Sequence, residues 1–145
     1  MSVALTRVPP LLVGDDPART KRWGAVAAGL FVLVLAIFVS GAYRPVYDLL
    51  PGRVVVYGAA SVLVLLAAVQ YYRNRGLLVS LLLCVAPVTA LFLLIIGEGQ
   101  TGEPTLVDTV VLGVGWGHFF GLPLGALGAL LGYGFGTIAS PNVAR

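Results

Sequence analysis

Apolar residues in this chain fall in four long blocks rather than in an alternating or amphipathic pattern. Residues 24–43, 54–72 and 76–96 contain no charged side chain. A helix of about 20 residues rises about 30 Å, the thickness of a bilayer's hydrocarbon core. The pattern therefore predicts membrane-spanning helices over those three ranges. Trp23 and Tyr43 bracket the first, and Tyr57, Tyr71 and Tyr72 sit near the ends of the second, where interfacial aromatics belong. The fourth block, 107–139, holds only Asp108 and His118 as charged or titratable interruptions besides Tyr133. As one straight helix it would be about 50 Å long, more than the core requires. Pro123 is the expected kink or break. Trp116 and Tyr133 read as its interface markers, which places the spanning part at 116–138 with 107–115 as a lead-in. A re-entrant hairpin broken at Pro123 is the alternative.

Between the blocks the chain is polar. Residues 1–22 read as a cytoplasmic tail in which Pro9, Pro10 and Pro17 oppose a long helix. Residues 44–53 are a loop, Arg73–Gly76 a tight turn, and 97–106 an acidic loop after which Thr105 or Asp108 caps the last helix. Residues 140–145 are a short tail. The membrane domain is thus 23–139, and the fold class is an all-α, integral membrane four-helix bundle. Pro87, inside the third block, removes one backbone hydrogen bond and crowds the carbonyl of Leu83. Together with Pro123 it is a possible hinge.

Composition agrees with this reading. Hydrophobic residues make up 59% and charged residues 10%, against about 45–50% and about 25% in soluble domains. Too few charges remain to clothe a water-facing surface. The first block follows basic residues, as a signal peptide's would, but it is longer than the 7–15 residues of such segments and reads as an uncleaved anchor. Basic residues on cytoplasmic loops set orientation. With both termini inside, Arg7, Arg19, Lys21, Arg22, Arg73, Arg75 and Arg145 are cytoplasmic, while only Arg44 and Arg53 are outside. The predicted location is the cell membrane, with both termini cytoplasmic.

Candidate chemistry is sparse. Arg19, Lys21 and Arg22 precede an apolar run, a membrane-flanking anchor rather than a nucleic-acid face. The single cysteine, Cys84, permits neither an internal disulfide nor a multi-cysteine metal site and reads as a small buried hydrophobe. Glu98, Glu103 and Asp108 lack cation-loop spacing and read as a solvated surface. No phosphate-binding loop is present, and Gly113–His118 lacks the strand context of a dinucleotide site. These residues predict no catalytic, metal or cofactor site.

The most specific pattern is glycine spacing. Gly113, Gly117, Gly121 and Gly125 recur every four residues, and Gly128, Gly132 and Gly136 continue after one step of three. All seven lie within about 140° of one another on a helix. In lipid, small residues at this spacing let two backbones approach. The partner is either another chain, in a homo-oligomer or a complex with a different membrane subunit, or the protein's own first three helices.

His118 is the sole histidine. The stretch His118-Phe-Phe-Gly121-Leu-Pro-Leu-Gly125 is similar to the H-x-x-G-x-x-x-G pattern of rhomboid intramembrane proteases. That resemblance covers eight of the 145 residues. Ser40, Ser61 and Ser80 all lack the nucleophile motif G-x-S-G, and four helices fall short of that family's six-helix core, so it implies at most a degenerate, non-catalytic relative. Otherwise His118 reads as an interfacial polar residue. The expected function is that of a non-enzymatic membrane protein working through helix packing, as an oligomer or an accessory subunit. A small multimeric channel for a neutral solute is the alternative.

Overall fold

A computed structural model of the chain describes residues 10–97 and 104–139. Those residues form helices without strands: α1 (Pro10–Val13), α2 (Pro17–Val39), α3 (Arg44–Leu49), α4 (Gly52–Asn74), α5 (Leu77–Gly97) and α6 (Leu106–Ala139). Four of them, α2, α4, α5 and α6, are long and apolar enough to cross a membrane. Residues 1–9 (with Arg7 and Pro9), 98–103 (with Glu98 and Glu103) and 140–145 (with Arg145) lie outside the described residues.

The first long helix starts seven residues before the expected Gly24 and ends at Val39. Pro17 does not oppose this helix; it begins it. Proline at the first helical position lacks only an N–H that would be unpaired anyway. Asp16 is the N-cap, and its carboxylate accepts from the amides of Ala18 (2.8 Å) and Arg19 (3.4 Å). After Ser40 the chain turns at Gly41, whose φ of +72° suits glycine. The expected loop at 44–53 contains the short helix α3, with Pro45 in its first turn.

The tight turn between α4 and α5 forms as the sequence implies. Arg75 occupies the left-handed region at φ 50° and returns its amide to Tyr71 O at 2.8 Å. Thr105 and Asp108 both cap α6, reciprocally. Thr105 Oγ1 accepts from Asp108 N at 3.2 Å, and Asp108 Oδ2 accepts from Thr105 N at 3.3 Å.

The last block is neither broken nor re-entrant: α6 is one continuous helix of 34 residues through Pro123. Residues 107–115 belong to the same helix as 116–138. The excess length is taken up by its path. Its first half lies antiparallel on α5, and its second half lies along α4. The most buried of the four long helices is α5, packed between α2 on one side and α4 and α6 on the other. Pro87 lies buried within it.

At the end of the bundle bearing the α4–α5 turn, the N-terminal segment is tied down by Asn74, which is fully buried. Its Oδ1 accepts from Asp16 N at 3.0 Å and its Nδ2 donates to Thr20 Oγ1 at 2.9 Å. Its carbonyl accepts from Asp15 N at 2.9 Å. Thr20 Oγ1 donates to Val13 O at 2.7 Å. One side chain therefore joins α2, the 13–16 linker and the hairpin turn.

Candidate functional site

The glycine stripe faces the protein's own helices. A Cβ at Gly113 would lie 3.1 Å from the Cα of Leu93; at Gly121, 2.6 Å from that of Val85; and at Gly125, 2.7 Å from that of Leu81. Gly117 abuts Thr89 in the same series. Glycines spaced by four thus meet α5 residues spaced by four in the reverse direction. The step of three after Gly125 coincides with a change of neighbour. Gly128 meets Val64 O (2.7 Å) and Ala67, and Gly132 meets Ala68 O and Tyr71 on α4. Gly136, half-buried, is only in ordinary contact with Tyr72, at 3.9 Å. Of the two sequence readings of this stripe, the geometry is that of internal packing, and six of the seven glycines are buried by it.

These contacts also define depth. Thr89 and Gly117 are level, as are Val85 and Gly121, so His118 stands opposite Val88. The middle of α5, a 21-residue helix about 31 Å long, is Pro87. By this register His118 is level with the middle of α5. Trp116 likewise lies level with Ala90, seven residues or about 10 Å inside the Gly97 end of α5. It stacks with Phe92 (ring centroids 6.3 Å) and Phe120 (5.9 Å). The part of α6 alongside α5 begins at Thr109, which meets Gly97.

His118 is exposed, at the flank of the glycine face of α6. Its Nδ1 is 2.8 Å from Val114 O. A carbonyl can only accept, so Nδ1 donates in this contact, and Nε2 has no hydrogen-bond partner among the described residues. No described serine pairs with it: Ser40 donates to Ile37 O, Ser80 to Ala67 O and Gly76 O, and Ser61 lies on α4.

Ser61 was not a candidate in the sequence. Ser80 donates to Ala67 O at 3.3 Å and Cys84 Sγ lies 3.6 Å from Leu63 O, which sets the α4–α5 register. By that register Ser61 is opposite Ala86, two residues along α5 from Val88, whereas the direct contacts of Gly128 with Val64 and Ala67 and of Gly132 with Ala68 and Tyr71 set it about five residues, or about 7 Å, from His118's level. It too is exposed, and its hydroxyl has no hydrogen bond among the described residues. One turn away on each helix a glycine sits in open space: Gly58 before Ser61 and Gly115 before His118, neither with an atom within 4 Å of where a Cβ would stand.

Inside the bundle, Gln70, Ser80 and Thr89 are the buried polar side chains besides Asn74. Ser80 Oγ bonds to Gln70 Oε1, whereas Gln70 Nε2 and Thr89 Oγ1 have no partner. Two open cavities lie at the ends: one of about 270 Å³ beside Phe38–Arg44 and Leu94, the other of about 620 Å³ between the start of α2 and the end of α4. No group of three or more metal-ligating side chains occurs among the described residues. Comparison with protein-family models, with curated proteins and with solved structures finds no match to this chain.

Proposed function

We propose that this chain is a non-enzymatic, multi-pass protein of the cell membrane that works by assembling with further copies of itself through the outer faces of α4 and α6. His118 carries the reading. A polar ring nitrogen level with the middle of α5 and without a partner among the described residues is unfavourable in hydrocarbon, and polar side chains at such a level ordinarily face protein or a water-filled cavity. The glycine stripe is consumed internally, so the assembly surface is the exposed flank of α6 that bears His118.

A neighbouring copy of the same orientation offers a donor within about one and a half turns of His118's level, the Ser61 hydroxyl. Both α4 and α6 run in the same direction. Gly58 then Ser61 on one copy meets Gly115 then His118 on the next in the same order, and the two glycines allow close backbone approach. The distribution of basic residues supports a sidedness with both termini cytoplasmic. Arg19, Lys21, Arg22, Arg73 and Arg75 gather at the hairpin end, while Arg44 and Arg53 stand at the other.

The test is disulfide trapping in membranes. In a Cys84→Ala background, Ser61→Cys and His118→Cys variants are co-expressed with different tags and oxidised. A mixed-tag dimer is expected in preference to either same-site product. Separately, His118→Leu should weaken self-association about three- to twentyfold, the range of one interhelical hydrogen bond in lipid. Absence of the mixed product, together with unchanged association in the leucine variant, overturns the proposal.

A further inference from the structure

We propose that the cavity between the start of α2 and the end of α4 binds the phosphate headgroup of an anionic phospholipid. The cavity, about 620 Å³, is lined by Arg19, Arg22, Trp23, Val26 and Arg73. Arg19, Arg22 and Val26 are spaced to lie on one face of α2. Arg19 donates through Nη1 to the Arg73 carbonyl at 3.1 Å, which draws the two helix ends, each bearing arginine, together. One carboxylate offsets this charge: Asp16 Oδ2 is 3.3 Å from Arg19 Nε. Arg22 and Arg73 have no acidic partner among the described residues. Three guanidinium groups on one cavity against a single carboxylate repel one another unless an anion joins them.

The shape selects the kind of anion. Arg19 and Arg73 lie at the polar rim, and Val26 is seven residues further along α2, about 10 Å toward the middle of the bundle. Trp23 lies between, an amphipathic ring at headgroup level. The site is therefore cationic at one end and apolar at the other. Guanidinium groups bind phosphate oxygens in pairs, and basic pockets between membrane helices suit anionic headgroups. The apolar end accommodates the start of an acyl chain, which free phosphate lacks. This site is distant from Ser61 and His118 and does not rest on the assembly reading.

Trp23 reports occupancy directly. With Trp116→Phe it becomes the sole tryptophan of the full chain. The protein is placed in phosphatidylcholine nanodiscs, and Trp23 quenching is titrated with phosphatidylglycerol or phosphatidylcholine brominated near the top of the acyl chain. Quenching by the anionic lipid should saturate at a mole fraction at least about tenfold lower than by the zwitterionic one. Arg22→Gln and Arg73→Gln should each reduce that preference about fivefold, while Arg22→Lys keeps most of it. Both side chains are exposed, and quenching by the zwitterionic lipid in the same variants checks that Trp23 keeps its place. Lys21→Gln, an adjacent cation that does not line the cavity, should leave the preference intact. Equal quenching by the two lipids overturns the proposal, as does an equal loss in Lys21→Gln, which would mean diffuse surface attraction. Displacement of the brominated lipid by excess inorganic phosphate would assign the site to the soluble ion and overturn the lipid assignment.

Discussion

Adding one methyl group at Gly121 should separate the two most closely packed helices. In Gly121→Ala the new Cβ would stand 2.6 Å from Val85 Cα and 3.0 Å from Val85 N, whereas ordinary contact begins at 3.4 Å. The obstacle is backbone, which cannot rotate away, so α6 must withdraw by about 1 Å. A gap of that size forfeits a quarter to a half of each dispersion contact along the seam, and overfilled sites of this kind lose about 1–3 kcal/mol. Alanine is also the better helix former, by about 1 kcal/mol, which would mask part of the effect. Gly134→Ala is the control. It has the same gain in propensity on the same helix but meets nothing within 4 Å. The difference between the variants therefore isolates packing, and we expect Gly121→Ala to be the less stable by about 1–3 kcal/mol. Cys84, fully buried and the only cysteine, provides the assay: its reaction with a thiol dye across a denaturing-detergent titration in mixed micelles follows opening of the bundle. If Gly121→Ala resists opening as well as Gly134→Ala does, the close-approach argument is wrong.

Three further variants probe the buried polar groups. Asn74→Ala removes the bonds to Asp16 N and Thr20 Oγ1 and should destabilise docking of the N-terminal segment by about 1–3 kcal/mol; hydrogen exchange should rise at the amides of Asp15 and Asp16 and not in α6, and unchanged exchange there would refute the clamp. Ser80→Ala strands both ends of the Gln70 amide and should destabilise by a similar amount, whereas Ser80→Ala with Gln70→Leu replaces both partners by apolar groups and should recover to within about 1 kcal/mol of the parent; a double variant weaker than Ser80→Ala alone would count against this account.

Much of the architecture was legible in the residues alone. Uncharged runs of bilayer length place the four long helices because each helix satisfies its own backbone, a local property. The Arg73–Gly76 turn and the Thr105–Asp108 cap were readable for the same reason. Where local reading failed, a residue had two local meanings. Pro17 was taken as a breaker although Asp16 before it makes it a helix start. Pro123 was expected to kink or break the last helix, which continues unbroken through it.

The glycine spacing established that α6 approaches something closely, since the absence of Cβ atoms on one face is written in the chain. It did not say what. Only the folded bundle assigns that face to α5 and then α4, and only the register between helices relates the positions of His118 and Ser61. Depth relative to another helix is a relation between distant segments, set by how the helices slide and cross. No pattern within either segment encodes it.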